Sequence, residues 1–270
     1  MKCIFCSKNS SNSKSVEHII PESLGNKKHI LRKGIVCDEC NQYFAKKIEK
    51  RVLEMPYFRD VRHRNFIESK KRRIPVSKGI IGGAVDLKKR KDFGTEVIVN
   101  SPDIFQKILN GEVKHMIIPV NDQPIEDNKL ISRFIAKIAI ESAAQTFSSK
   151  KGWNNFIINT PEFKELRYYA RFGDKLDMWN YSQRRIYNET DRFLNPKVSD
   201  GPYEVLHEQN LVFLRDRELY FVLVLFGIEY VISITNPKID GYKSWLIENN
   251  NKCPIIEKNE RDTIKGERYF

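Results

Sequence analysis

Two C-x2-C pairs constrain this chain more than any other feature. Cys3-Ile4-Phe5-Cys6 and Cys37-Asp38-Glu39-Cys40 enclose Glu17-His18-Ile19-Ile20-Pro21, and Asn41 follows the last cysteine directly. Two knuckles of this spacing suit tetrahedral thiolate coordination of zinc. A segment of about 55 residues lacks the volume for a large core, so it needs a staple of this kind. Four thiolates close the coordination shell, so Cys3, Cys6, Cys37 and Cys40 are expected to hold a structural zinc with no open position. Such a zinc supplies roughly 10–16 kcal/mol of apparent binding free energy at neutral pH, all of it coupled to folding. The bland alternative is four unrelated reduced thiols.

The rest of the composition narrows the class. The chain has 270 residues and a formal net charge of +12, which suggests a polyanionic partner. The charge is uneven: residues 1–75 hold 18 Lys+Arg against 8 Asp+Glu, and residues 76–270 hold the other 29 against 27. The positive potential thus lies with the cysteine pairs. Five cysteines, four of them in C-x2-C pairs, do not form a secreted disulfide framework. The most apolar stretch, Leu219 to Thr235, is broken by Gly227 and Glu229 and falls short of the ~20 residues that span a bilayer. No apolar run of signal-peptide length opens the chain, so a cytoplasmic protein without membrane contact is expected.

Residues 1–58 read as strand, strand, helix with zinc at the base. Val16–Ile20 and Gly34–Val36 are the expected strands. A helix is expected from Asn41, with Phe44, Ile48 and Val52 as its buried stripe and Pro56 near its end. Residues 59–78 are a basic connector containing Lys70-Lys71-Arg72-Arg73. Residues 79–270 read as a larger α+β domain of unassigned role. Its expected strands are Ile80–Val85 and Glu96–Val99, then an antiparallel meander of Glu204–Leu214, Leu219–Phe226 and Ile228–Ile234, with Arg215-Asp216-Arg217 and Gly227 as turns. Its expected helices are Pro102–Leu109, Pro161–Arg171 and Lys129–Phe147. The last would be N-capped by Asp127 or Asn128, with one buried face of Ile131, Phe134, Ile135, Ile138 and Ser142. The whole chain is therefore of the α+β class.

A second site is expected from Glu17, His18 and Asn41. Strand neighbours face opposite ways, so Glu17 and His18 share a cleft only where the strand bends, ahead of Pro21. The Asn41 side-chain oxygen could meet a cation held by Glu17. A hard ion such as Mg²⁺ takes one or two protein oxygens and keeps several waters. Glu49 lies two turns beyond Asn41, roughly 12 Å along a regular helix, too far to share that ion unless the helix is distorted. Each residue also has a plain reading: Asn41 as a helix cap, Glu17 as a solvated carboxylate, His18 as a structural histidine.

The combination resembles the HNH, or ββα-metal, nuclease superfamily, above all its zinc-stapled branch with C-x2-C, [DE]-H-x-x-P and C-x2-C-N. The resemblance covers residues 1 to about 55. It implies a DNA endonuclease in which His18 is the general base and Glu17 and Asn41 bind catalytic Mg²⁺, with Mn²⁺ or Ni²⁺ as substitutes. Two departures stand out. Glu17 fills a place more often held by Asp. The superfamily's middle asparagine is missing from the region of Arg32, Lys33 and Gly34, so that Asn26 or His29 is left to brace the loop bearing the base.

Lys46, Lys47, Lys50, Arg51, Arg59, Arg62 and Arg64 are the candidate phosphate contacts; their plain reading is a solvated basic face. The favoured activity is cleavage of double-stranded DNA in bacterial or phage defence or restriction. Against it stand a non-catalytic zinc-ribbon module that binds nucleic acid, and a nuclease subunit controlled by a partner ATPase. A homodimer is a further expected arrangement, since one base and one metal nick a single strand.

Overall fold

The computed structural model describes residues 1–90, 92, 94–215, 218–258 and 261–266. Packing groups the chain into two compact units. One comprises Met1–Ile20, Asn26–Val52 and Ile125 onward; the other comprises Pro21–Gly25 and Leu53–Pro124. The boundaries at 58 and 78 follow charge along the sequence, whereas packing joins the first 52 residues, less five, to the long C-terminal stretch.

The first unit begins with β1 (Glu17–His18), β2 (Ile30–Leu31), α1 (Asp38–Tyr43), a π-helical stretch Phe44–Glu49 and α2 (Lys50–Leu53). The second unit holds α3 (Pro56–Arg64), β3 (Ser77–Ile80), β4 (Ala84–Lys89), β5 (Thr95–Ile98) and α4 (Pro102–Leu109). The first unit then resumes with α5 (Lys129–Phe147), α6 (Trp153–Asn159), α7 (Pro161–Phe172), β6 (Tyr181–Arg185) and β7 (Arg192–Leu194). It ends with β8 (His207–Arg215), β9 (Glu218–Leu225), β10 (Ile228–Ser233), α8 (Asp240–Glu248), α9 (Pro254–Lys258) and β11 (Asp262–Ile264).

The strand–strand–helix order holds, with shifted boundaries. β1 and β2 pair antiparallel, Glu17 opposite Leu31 and His18 opposite Ile30. The second strand is thus Ile30–Leu31 rather than Gly34–Val36. Gly34 has φ +87°, a left-handed turn that no strand continues, and a Cβ there would crowd the Ser10 carbonyl at 3.1 Å. Ile35 instead serves the knuckle, accepting from the Ile4 amide at 3.0 Å. The helix starts before Asn41, at Asp38, because Cys37 is its N-cap: the Cys37 Sγ accepts from the Cys40 amide at 3.4 Å. Asn41 is therefore inside the helix and not its cap. Phe44, Ile48 and Val52 are fully buried, as the stripe requires.

The C-terminal meander forms as expected. β8, β9 and β10 pair in sequence, β6 joins at the β10 edge, and the order is β6-β10-β9-β8, all antiparallel. Phe226 (φ 50°) and Gly227 (φ 78°) make the two-residue turn between β9 and β10, and both are left-handed. A Cβ on Gly227 would lie 2.0 Å from the Tyr187 carbonyl, so only glycine fits. Of the other expected turn, Asp216 and Arg217 lie outside the described residues.

Both faces of β9 and β10 are covered. Tyr220, Val222, Val224 and Val231 pack with Tyr242 and Leu246 of α8 and with Ile255 of α9. The alternate residues Phe221, Leu223, Tyr230 and Ile232 are equally buried on the face where α5 packs. Each such side chain contributes about 1.5–3 kcal/mol through burial. α5 spans Lys129–Phe147 with Asn128 as N-cap, its Oδ1 accepting from the Leu130 and Ile131 amides. It departs from expectation in one respect. Instead of one buried face, every residue from Ile131 to Ala144 is buried, including Arg133, Lys137 and Glu141.

In the second unit β3, β4 and β5 form an antiparallel sheet with Val85 and Leu87 inside. The strand expected over Ile80–Val85 is interrupted, because Gly82 at φ +65° turns the chain between β3 and β4.

Candidate metal centre and hydrolytic site

The four sulfurs of Cys3, Cys6, Cys37 and Cys40 all lie within 4.8 Å of one another. A tetrahedron with about 2.3 Å metal–sulfur arms has edges near 3.8 Å, and Cys6 and Cys37 stand 3.6 Å apart. The set therefore fits zinc. Its electrostatics also call for a cation. Cys3 is brought down to about 5, chiefly by a hydrogen bond from the Cys40 thiol and against its own burial. Cys40, as that donor, is raised far above the usual range, with burial adding to the effect. Burial pushes Cys37 up to about 11. Of Cys3, Cys37 and Cys40, only Cys3 is lowered, because burial and the neighbouring thiols hold the other two up.

Two arginines of α7 lie against this cluster. Arg167 donates to the Ile4 carbonyl through Nε and to the Ser7 hydroxyl through Nη2 at 3.0 Å. Arg171 stacks over the Tyr43 ring at 3.7 Å and approaches Glu39 at 3.6 Å. Bound zinc would leave the four thiolates with a formal charge of about −2, which these neighbouring guanidinium groups would help to offset. Arg133 of α5 adds a third bond to this segment, donating to the Tyr43 hydroxyl at 2.6 Å.

The hydrolytic candidates sit on β1 and α1. Glu17 points inward and is 7% exposed, while its strand neighbour His18 is half-buried, with Nδ1 inside the protein. The Asn41 amide donates through Nδ2 to the Val16 carbonyl at 3.2 Å, which ties α1 to the residue preceding Glu17. Asn26 is fully buried and performs the bracing left open between it and His29. Its Nδ2 donates to the Ile20 carbonyl at 2.7 Å and to the His29 carbonyl at 2.9 Å, and its Oδ1 accepts from the Lys28 and His29 amides.

Sequence reasoning missed the floor of this site. The fully buried Lys137 Nζ lies 2.6 Å from Glu17 Oε1, 2.7 Å from Glu49 Oε1 and 3.0 Å from Glu141 Oε2. It also donates to the carbonyls of His18 at 3.0 Å and Ile19 at 3.3 Å. Glu49 reaches it from the π-helical stretch, the distortion that a regular helix would not supply. Burial alone would lower the Lys137 ammonium, but the fields of Glu141, Glu17 and Glu49 outweigh it and hold it well above its usual range. Burial pushes Glu141 well above the carboxylate range, and the neighbouring Glu17 and Glu49 add to that against the pull of Lys137. The signal was in the sequence: Lys137 breaks the apolar stretch Phe134–Ile140 of α5, and Glu141, four residues on, follows it directly.

The other candidates divide. Lys46, Lys47, Lys50 and Arg51 are exposed on the π-helical stretch and α2. Arg62 is 7% exposed and buried within α3, so it is no surface contact, because a buried guanidinium cannot meet a phosphate without unpacking the helix. Arg59 pairs with the neighbouring Asp60 at 3.5 Å and Arg64 is half-buried. His63 is a structural histidine, bonded through Nδ1 to the Pro75 carbonyl at 2.8 Å.

An antiparallel strand pair followed by a helix, with four clustered thiols at its base, gives the ββα arrangement expected from the sequence. Residues 3–56 match the family described as HNH endonuclease, about a fifth of the chain. The N-terminal segment is thus an HNH-type nuclease domain with the cysteine set of the zinc-stapled branch. No characterised protein and no solved structure matches the chain. Among the described residues, no helix is long and apolar enough to cross a membrane.

Proposed function

We propose that this protein is a DNA endonuclease in which His18 is the general base and Glu17 and Asn41 hold a divalent cation, with Mg²⁺ as the working ion. The observation that carries this reading is the division of roles on β1: Glu17 is turned inward and clamped, while His18 is left half-exposed beside it. With Nδ1 inside the protein, Nε2 is the nitrogen placed to take a proton from water. The Asn41 Oδ1 is the amide atom that remains for a cation once Nδ2 is committed to Val16. Bound there, a hard ion would stabilise charge on the phosphate and on the departing 3′ oxygen. Lys46, Lys47, Lys50 and Arg51 would grip the backbone, Arg59 and Arg64 being weaker contributors. Defence or restriction in the bacterial or phage cytoplasm is the role we favour, alone, as a homodimer or under a partner ATPase.

The test is plasmid nicking over Mg²⁺, Mn²⁺ and Ni²⁺ with His18→Ala beside the wild type. The variant should keep its zinc and lose about 10²–10⁴ in rate, the span of general-base catalysis. Equal rates for the two proteins would remove His18 from the mechanism. A second reading, a nucleic-acid-binding module without catalysis, is favoured by the ion pair that already occupies Glu17 Oε1. Salt-dependent DNA binding with no scission under any of the three ions would select it.

A further inference from the structure

Burying a lysine completely is costly unless oxygen atoms replace its water. Lys137 is 0% exposed and meets five oxygens, three of them from residues 17–19. The fourth comes from Glu49 on the π-helical stretch and the fifth from Glu141, one turn further along α5. One side chain of α5 therefore grips both arms of the HNH-type unit. The unit needs such a grip: its ladder is only two residue pairs long, and an isolated pair of strands is marginal at best.

We infer that Lys137 is the positioning residue of the nuclease site, holding the Glu17 carboxylate and the His18–Ile19 backbone in place while Glu49 and Glu141 hold its ammonium. The inference rests on the catalytic reading of Glu17 and His18 given above. It makes residues 3–56, the extent of the family match, incomplete without α5. Its ammonium is sealed from solvent and so cannot touch substrate; it acts only through the groups it orients.

The test uses the full chain with Lys137→Met, the double variant Lys137→Met/Glu141→Gln, and Glu49→Gln. The double variant removes both members of the buried i,i+4 pair, a change that folds tolerate better than losing one. Zinc content and exchange of the Val222–Ile232 amides should match wild type. Exchange at the amides of residues 17–19 should rise about tenfold. Nicking should fall about 10–100-fold, with more Mn²⁺ needed for half-maximal rate and unchanged affinity for DNA. Glu49→Gln, at the cluster's edge, should show the same pattern more weakly, and it carries the test should both Lys137 variants fail to fold. Unchanged exchange at 17–19 overturns the proposal, as does half-maximal nicking at lower Mn²⁺, which would mean that the ammonium competes with the ion. Faster exchange in a protein whose wild type never nicks DNA would confirm the clamp and sink the catalytic reading alone.

An independent observation lies in the second unit. A cleft of about 810 Å³ is lined by Arg72, Arg73, Lys88, Lys89 and Arg90 against two carboxylates, Glu68 and Glu96. Lys89 is half-buried there, with its ammonium 4.8 Å above the Phe66 ring and 2.9 Å from the Thr95 hydroxyl. No carboxylate among the described residues pairs with it. The Phe66 face is taken by that ammonium, which leaves charge rather than base stacking as the means of recognition.

We propose that this cleft binds the phosphate backbone of nucleic acid. The test is binding of a 20-base-pair duplex across salt concentrations by the full chain carrying His18→Ala, with and without Arg73→Glu/Lys88→Glu/Lys89→Met. The triple change should weaken all sequences alike and reduce the log–log salt slope by about 2–3, near 0.9 per lost phosphate contact. An unchanged slope overturns the proposal. So does a cleft that binds inorganic phosphate or a free nucleotide in preference to the duplex, which would mark a small-anion site.

Discussion

The cysteine-bearing segment and the four-stranded sheet share one compact unit yet are held by different forces. Around the thiols a compact set of apolar side chains gathers, including Ile4, Ile35, Phe5 and Phe44, the last two with ring centroids 4.4 Å apart. The sheet buries β9 and β10 on both faces and needs no ligand. A stapled segment draws its stability from a metal and loses it with the metal. A packed sheet draws its stability from area and loses it only piecemeal. The difference explains why a nuclease module of this size leans on buried cations of α5 and α7 for the rest of its support.

The largest effect should come from removing zinc. Chelation at neutral pH withdraws roughly 10–16 kcal/mol of apparent binding energy. Amides of residues 3–53 should then lose protection while those of β9 and β10 keep it, as read by hydrogen exchange. Four thiols should become reactive, whereas Cys253, pushed up to about 12 by burial and by the neighbouring Glu229, stays slow. Simultaneous loss of protection in the sheet would erase the comparison and make the unit a single cooperative block. Next in size, Phe221→Ala should cost about 3–5 kcal/mol in urea unfolding through the cavity it leaves. Native protein of that variant should still bind zinc; loss of metal would show the two regions to be one.

Asn26→Ala sharpens the boundary between staple and site. It removes four hydrogen bonds from a fully buried position and should cost about 1–3 kcal/mol. Nicking should fall while zinc stays bound, since the asparagine braces the turn between Ile20 and His29 and not the knuckles. The smallest effect concerns pH. Burial alone would raise Asp191, but the amides of Gly266 and Asn188 and the Lys265 ammonium outweigh it and lower its carboxyl. A lowered folded-state value means that its stabilisation is full above the ordinary carboxylate range and fades as pH drops through the lower folded value. Asp191→Asn should flatten that acid limb of the stability profile, measured by thermal melts from pH 7 to pH 3. An unaltered limb would return the acid sensitivity to other carboxylates.

Much of this was legible from local patterns. Helix α5 with a cap at Asp127 or Asn128, helix α4 and the β8–β9–β10 meander follow from periodicity and turn residues within a few positions of each other. The cysteine pairs were legible because metal geometry demands fixed spacing. Boundaries set by a single backbone angle were not: Gly34 and Gly82 could have continued their strands, and only their positive φ ends them. The start of α1 was misplaced because a thiol, not Asn41, caps it. Asn26 could be named as a brace beside His29, but choosing between them needed the hydrogen bonds themselves.

By itself the sequence determined the chemical inventory: four cysteines at metal-ligand spacing, a carboxylate, an imidazole and an amide close to them, and a basic charge concentrated beside them. It also determined several elements of short-ranged periodicity, α4, α5, α7 and the β8–β9–β10 meander, though not α3, α6, α8 or α9. Only the tertiary structure decided that Lys137, more than a hundred residues away, closes under Glu17 and that Glu49 joins it. The physical reason is that a buried charge carries no local signature of the partners that reach it from distant segments. Coulomb attraction in a dry interior is satisfied by whichever oxygens the packing of α5 brings within reach, and that packing is a property of the whole unit.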